Sequence, residues 1–130
     1  MASEPLRESA RRWLRRARSN LARSRLSKPE EAVWNDFCFD AQQAAEKSIK
    51  AVLISLGCEV PRTHDVRRLL EMVEEQGSEV TETLREAIDL NPYAVEARYP
   101  EHTEEVTEEE YLRAVELAAR VVSWAEKSVG

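Results

Sequence analysis

The residue types best suited to chemistry cluster in VEARYPEHTEEVTEEEYLRA, residues 95–114, where Arg98, Tyr99 and His102 stand close together. A guanidinium that is always charged could hold the phosphorane formed when RNA is cleaved. An imidazole that ionises near neutrality could move the 2′-hydroxyl proton. Under that reading Arg98 and His102 form a catalytic pair. A second reading uses Arg98 with Tyr99, whose fork and ring grip phosphate and base without bond cleavage. Glu101, Glu104, Glu105, Glu108, Glu109 and Glu110 crowd the same stretch and repel a phosphate backbone. The plain alternative pairs Arg98 with a carboxylate or a helix end and leaves His102 on a loop surface, and for His102 this is the reading we adopt.

The other histidine, His64 in THDV, adjoins Asp65, a suitable helix cap. It reads first as part of a helix start and second as a contact in a ligand cleft. Two histidines without a spaced Cys/His/Asp set suggest no metal site, and no cofactor is expected. Glu108, Glu109 and Glu110 read as complements to a helix N-terminus. Cys38 and Cys58 have neither C-x-x-C spacing nor an adjacent base, which points away from thiol catalysis and toward a reduced, cytoplasmic setting.

These residues must be positioned by helices. Leu6, Ala10, Trp13, Leu14, Ala17 and Leu21 recur at intervals of three and four, with Ser3 and Pro5 as starting residues. Ser27 with Glu30 reads as a capping box, with Pro29 in the first turn, opening a second helix. Its apolar stripe runs from Trp34 to Leu56, and Gly57 ends it. Ala41, Ala44, Ala45 and Ala51 let a neighbouring helix come close. Thr63 or Asp65 caps a third segment carrying Val66, Leu69, Leu70 and Val73, up to Gly77. A fourth, with Val80, Leu84, Ala87 and Ile88, stops near Asn91 and Pro92. Thr107 and Glu110 form a capping box for the last helix, with Val106 and Tyr111 as a hydrophobic staple and a stripe of Tyr111, Val115, Ala118, Val122, Ala125 and Val129. No hairpin or alternating strand pattern appears, so the fold class is all-α, an up-and-down bundle of four to five antiparallel helices. Trp13, Trp34 and Trp124 read as core or dimer anchors, with Trp34 favoured for a buried interface.

The chain has 130 residues, 3 glycines and 5 prolines, which leaves little room for a linker and predicts one domain over 1–130: a basic first helix over 1–27 and a main bundle over 28–130. The net charge of −6 is unevenly spread. Residues 1–28 hold nine Lys/Arg against two Glu, 9 − 2 = +7, and the remainder carries 10 − 23 = −13. Such a basic segment could reach for nucleic acid or an acidic partner, or face the protein's own acidic helices, and the last is favoured. Arg recurs through it with no apolar core following, so a targeting sequence is not expected, and no stretch has the length of a membrane span.

The order FDAQQAAEKSIKAVLISLG, THDVRRLLE and RYP before a final amphipathic helix resembles the HEPN domain, the higher eukaryotes and prokaryotes nucleotide-binding helical domain, over about residues 30 to 128. The resemblance implies a bundle that commonly dimerises and, in prokaryotes, associates with a minimal nucleotidyltransferase, at times as a toxin–antitoxin pair. It also implies a ribonuclease branch whose signature is Arg, four to six residues, then His. Here three residues separate Arg98 from His102, Tyr99 replaces the usual small polar residue, and His102 precedes the Thr107 cap where that branch carries its His on the last helix. Glu104 also stands where one toxin subgroup has a modifiable Tyr. The expectation is therefore a homodimeric, non-catalytic partner of a nucleotidyltransferase, with nucleotide or RNA as ligand and Arg98, Tyr99 and His64 lining the cleft. The alternative is a metal-independent ribonuclease using Arg98 and His102.

Overall fold

A computed structural model describes residues 3–94 and 104–130. Among them every regular element is helical: α1 Glu4–Ser24, α2 Trp34–Ser55, α3 Val66–Glu75, the short α4 Glu82–Arg85 continuing as a 3-10 helix over Glu86–Tyr93, and α5 Glu108–Val129. The local signals act where the sequence predicts. Ser3 Oγ accepts the Leu6 amide, Asp65 accepts the Arg67 amide, and the Thr107/Glu110 capping box is closed in both directions. Gly57 and Gly77 each lie at φ +88°, and the next amide reaches back to the carbonyl of Leu53 or Val73, sealing the last turns of α2 and α3.

One boundary differs from the sequence expectation. Instead of opening a helix, the Ser27–Glu30 capping box lies in a loop, and α2 starts at Trp34 with no side-chain cap. The Lys28 ammonium donates to the carbonyls of Pro29 (3.2 Å) and Ala32 (2.9 Å), acceptors that a helix begun at Pro29 would need for its own ladder. The later start puts the Trp34 ring on Tyr111, stacked at 4.3 Å between centroids, with Phe37 edge-on to both.

Helix α2 is the axis of the fold. It packs most extensively on α1, then on α5, and also meets α3 and the 3-10 helix. Helix α1 runs antiparallel to it, so Asn20 meets Asp40 while Trp13 meets Lys50. Helix α5 runs parallel to α2, with Tyr111 beside Trp34 at one end and Ser128 and Val129 near Ser55 and Leu56 at the other. The four central alanines of α2 are wholly buried, as are Ala10 and Ala17 of α1, which lets the helices approach closely around Ile49 and Leu53. The Tyr111 hydroxyl donates to the Ser24 carbonyl and ties the end of α1 to the start of α5.

Exposed ion pairs fasten the remaining elements. Arg85 pairs with Glu74 at 2.7 Å, joining α4 to α3, and Glu86 receives both Arg120 (2.7 Å) and Arg113 (3.4 Å) from α5. Hydrogen bonds from Arg120 and Arg113 hold the Glu86 carboxyl below the usual range. Because these pairs lie in water they orient the helices more than they stabilise them. The apolar seam carries the stability. Replacing the fully buried Ile49 by Ala is expected to cost about 2–5 kcal/mol, read as a lower urea midpoint at unchanged slope.

Candidate functional site

Arg98, Tyr99 and His102 lie outside the described residues, whose margins on either side of that stretch are tied into the bundle by asparagines. Before it, Asn91 accepts the Val66 amide through Oδ1 and donates to Asp65 through Nδ2, both at 2.9 Å. After it, Asn35 Oδ1 accepts the Val106 amide at 2.9 Å, just ahead of the capping box. The Asn91 clasp therefore joins the last described turn before residue 95 to the start of α3, next to His64.

His64 is the one predicted site residue that is described, and its setting is polar and anchored. The ring is two-thirds exposed, yet its Nδ1 lies 2.9 Å from Oε1 of Glu46, whose side chain is 4% exposed. A carboxylate can only accept, so Nδ1 carries the proton and Nε2 is left as an acceptor in the neutral ring or a second donor in the charged one. The His64 carbonyl accepts from Gln42 Nε2 at 3.2 Å, fixing the backbone as well as the ring. The Thr63–Asp65 turn forms as predicted, with Asp65 as the cap. Glu46 in turn pairs with Lys50, one helical turn on, at 2.9 Å, and Lys50 is only 6% exposed. Gln42 Nε2 approaches the same carboxylate at 3.3 Å, and the Lys50 ammonium lies 5.9 Å from the Trp13 ring centre.

Sequence reasoning did not single out Gln42, Glu46 or Lys50. Their signal is a carboxylate and an ammonium four apart in AAEKSIKAVLI, a stretch otherwise apolar enough to be enclosed. A surface pair at that spacing is commonplace, so only burial distinguishes this one. A second enclosed network lies closer to the start of α2: Asn20 Nδ2 donates to Asp40 at 3.0 Å, Lys47 donates to Asn20 Oδ1 at 2.7 Å, and Arg23 stands 3.6 Å from Asp40.

The geometry offers a fixed imidazole that can accept or donate through Nε2, but no nucleophile beside it. Cys38 is wholly buried, and burial, with the Glu110 charge adding to it, pushes its thiol up to about 12. No group of three or more His, Cys, Asp or Glu placed to hold a metal occurs among the described residues, and none of their helices is long and apolar enough to cross a membrane.

With the helices and their polar interior described, comparison with known proteins is decisive for the family. The HEPN domain model matches residues 10–128. The chain belongs to the HEPN family. An archaeal HEPN homologue of known crystal structure superposes with a TM-score of 0.73 at 23% identity, over 93% of this chain and 98% of the other, a likeness of fold. Comparison with curated proteins finds no match. The match begins at residue 10, so this HEPN domain includes most of α1 as well as the region from residue 30 on which the sequence resemblance rests.

Two outcomes follow from this interior. Glu46→Leu or Lys50→Met alone should each cost about 3–5 kcal/mol by stranding a buried charge, while the double variant should cost far less than the sum, and His64→Ala under about 1 kcal/mol; urea denaturation of the four proteins measures all of these. Alkylation of the native protein near pH 8 should modify Cys58, which is partly exposed, and spare Cys38 until denaturant is added, as read by intact mass.

Proposed function

We propose that this HEPN domain is a non-catalytic, nucleotide-binding or regulatory partner of a minimal nucleotidyltransferase, acting as a homodimer in the cytoplasm. The observation that carries the reading is the His64 ring, exposed to solvent but held through Nδ1 by the enclosed Glu46–Lys50 pair. A ring fixed in this way suits recognition: neutral, it accepts from a base amine or a ribose hydroxyl, and charged, it donates to phosphate. The Asn91 clasp supports the rest, because the chain leads from there toward Arg98 and Tyr99, an Arg fork and an aromatic ring that complement such a ligand. The three-residue spacing of Arg98 and His102, shorter than the four to six residues of the ribonuclease branch, and the place of His102 ahead of the Thr107 cap set this reading ahead of ribonuclease activity by those two residues.

The test has two arms. Coexpression with the nucleotidyltransferase of a neighbouring gene should give a complex that copurifies with this chain. Titration with labelled ATP should show binding that falls at least tenfold in Arg98→Ala and in His64→Ala and persists in His102→Ala. Cleavage of RNA by the purified chain, abolished by both Arg98→Ala and His102→Ala, would replace this reading with the ribonuclease one.

A further inference from the structure

The arginines of α1 divide into two sets. Arg7 and Arg11 pair with Glu4 (3.9 and 3.1 Å), Arg18 with Glu126 of α5 (2.9 Å), and Arg23 with Asp40 of α2. These four meet the protein's own carboxylates, as the sequence favours. Arg12, Arg15 and Arg16 do not: among the described residues no carboxylate pairs with any of them, although the chain carries more acidic than basic residues. All three line one concavity of about 880 Å³ between α1 and α2, together with Trp13, Ser19 and Lys47.

Four cations in one groove repel one another unless something negative enters. Lys47 lies partly buried beside the arginines, and it is burial above all that holds its ammonium below the ordinary lysine range, with Glu46 and Asp40 pulling it up and Arg16 and Arg23 pushing it down. The lining reaches along α1 from Arg12 to Ser19, about 10 Å at the helical rise, which is too long for one small anion. Trp13 is half-buried and offers part of an indole to the same space. A cationic trough with an aromatic flank is the arrangement by which proteins track a single strand of nucleic acid.

We infer that the groove formed by Arg12, Trp13, Arg15, Arg16, Ser19 and Lys47 binds a run of consecutive phosphates, as along single-stranded nucleic acid, at a site separate from the one around His64. The guanidiniums take phosphate oxygens in pairs, Lys47 adds a point charge at the floor, and Trp13 supplies a surface for a base. The net charge of −6 opposes polyanions elsewhere on the molecule, so binding is confined to this face.

The experiment is fluorescence anisotropy of a labelled single-stranded oligoribonucleotide with the full chain, between 50 and 200 mM KCl. Three to four phosphate contacts predict a slope of log affinity against log salt of about −2 to −3. Arg12→Gln with Arg16→Gln should reduce that slope by about 1.4, and the control pair Arg7→Gln with Arg11→Gln should leave it unchanged. Arg11, Arg12 and Arg16 are exposed and Arg7 is half-buried, and equal melting temperatures would confirm that the variants fold. Competition separates the sources of phosphate: inorganic polyphosphate displacing the oligonucleotide equally per phosphate assigns the groove to phosphate chains in general, and weaker displacement assigns it to nucleic acid with Trp13 in contact. Polyglutamate displacing it equally per charge would overturn the proposal in favour of an acidic protein segment. Absence of binding at 50 mM salt, or a slope unchanged by Arg12→Gln with Arg16→Gln, would overturn it outright.

Discussion

Enclosure of α2 is the constraint on which the rest of the structure depends. A helix with neighbours on several sides has little solvent to satisfy its polar side chains, so each of them must find a partner inside or be costly. Glu46, Lys50 and Gln42 satisfy one another and reach His64, while Asp40 takes Asn20 and Arg23. Among the buried polar side-chain atoms of the described residues, only the Ser48 hydroxyl lacks a partner. Alanine makes this burial geometrically feasible, since Ala41, Ala44 and Ala45 let α1 and α5 close on the helix without larger side chains holding them off. Small residues thus create the tight seam, and the seam makes a pair of ordinary charges into a fixed internal device.

The all-helical fold was legible because its signals are local. Amphipathic spacing and the Ser3, Asp65 and Thr107 caps act within a few residues of themselves, and so do the two glycine stops. The start of α2 was not legible, since the Ser27–Glu30 box satisfies a local rule that Lys28 overrides by capturing the carbonyls of Pro29 and Ala32. The fourth segment does stop where Asn91 and Pro92 predict, at Tyr93, with Pro92 taken into its last 3-10 turn. Of the candidate site, His64 could be picked out as a histidine at a turn. Its anchoring could not, because Glu46 is 18 residues away in sequence and the partnership exists only once α3 has docked. The apolar stripe of α5 is buried along its predicted line except at Val115, which is half-buried, while Leu117, adjacent to that line, is buried as well.

Within the HEPN scaffold the two polar networks of α2 have different consequences. The one around Glu46 ends at an exposed ring and so passes the rigidity of the interior to a surface group. The one around Asp40 stays between α1 and α2 and sets their register, with Asn20 held from both sides by Asp40 and Lys47. A scaffold that fixes side chains from below in this way can change its surface chemistry without repacking its centre.

The division of α1 into a face satisfied by internal carboxylates and a face that is not gives the molecule a lasting electric dipole across the bundle, positive toward α1 and negative toward the other helices. A body with this asymmetry rotates in the field of a charged surface before it touches it, over distances set by a screening length of about 8 Å at physiological ionic strength. Its overall negative charge slows approach to anionic surfaces, while the dipole selects which side arrives first. Orientation, not attraction, is what the first helix contributes at long range.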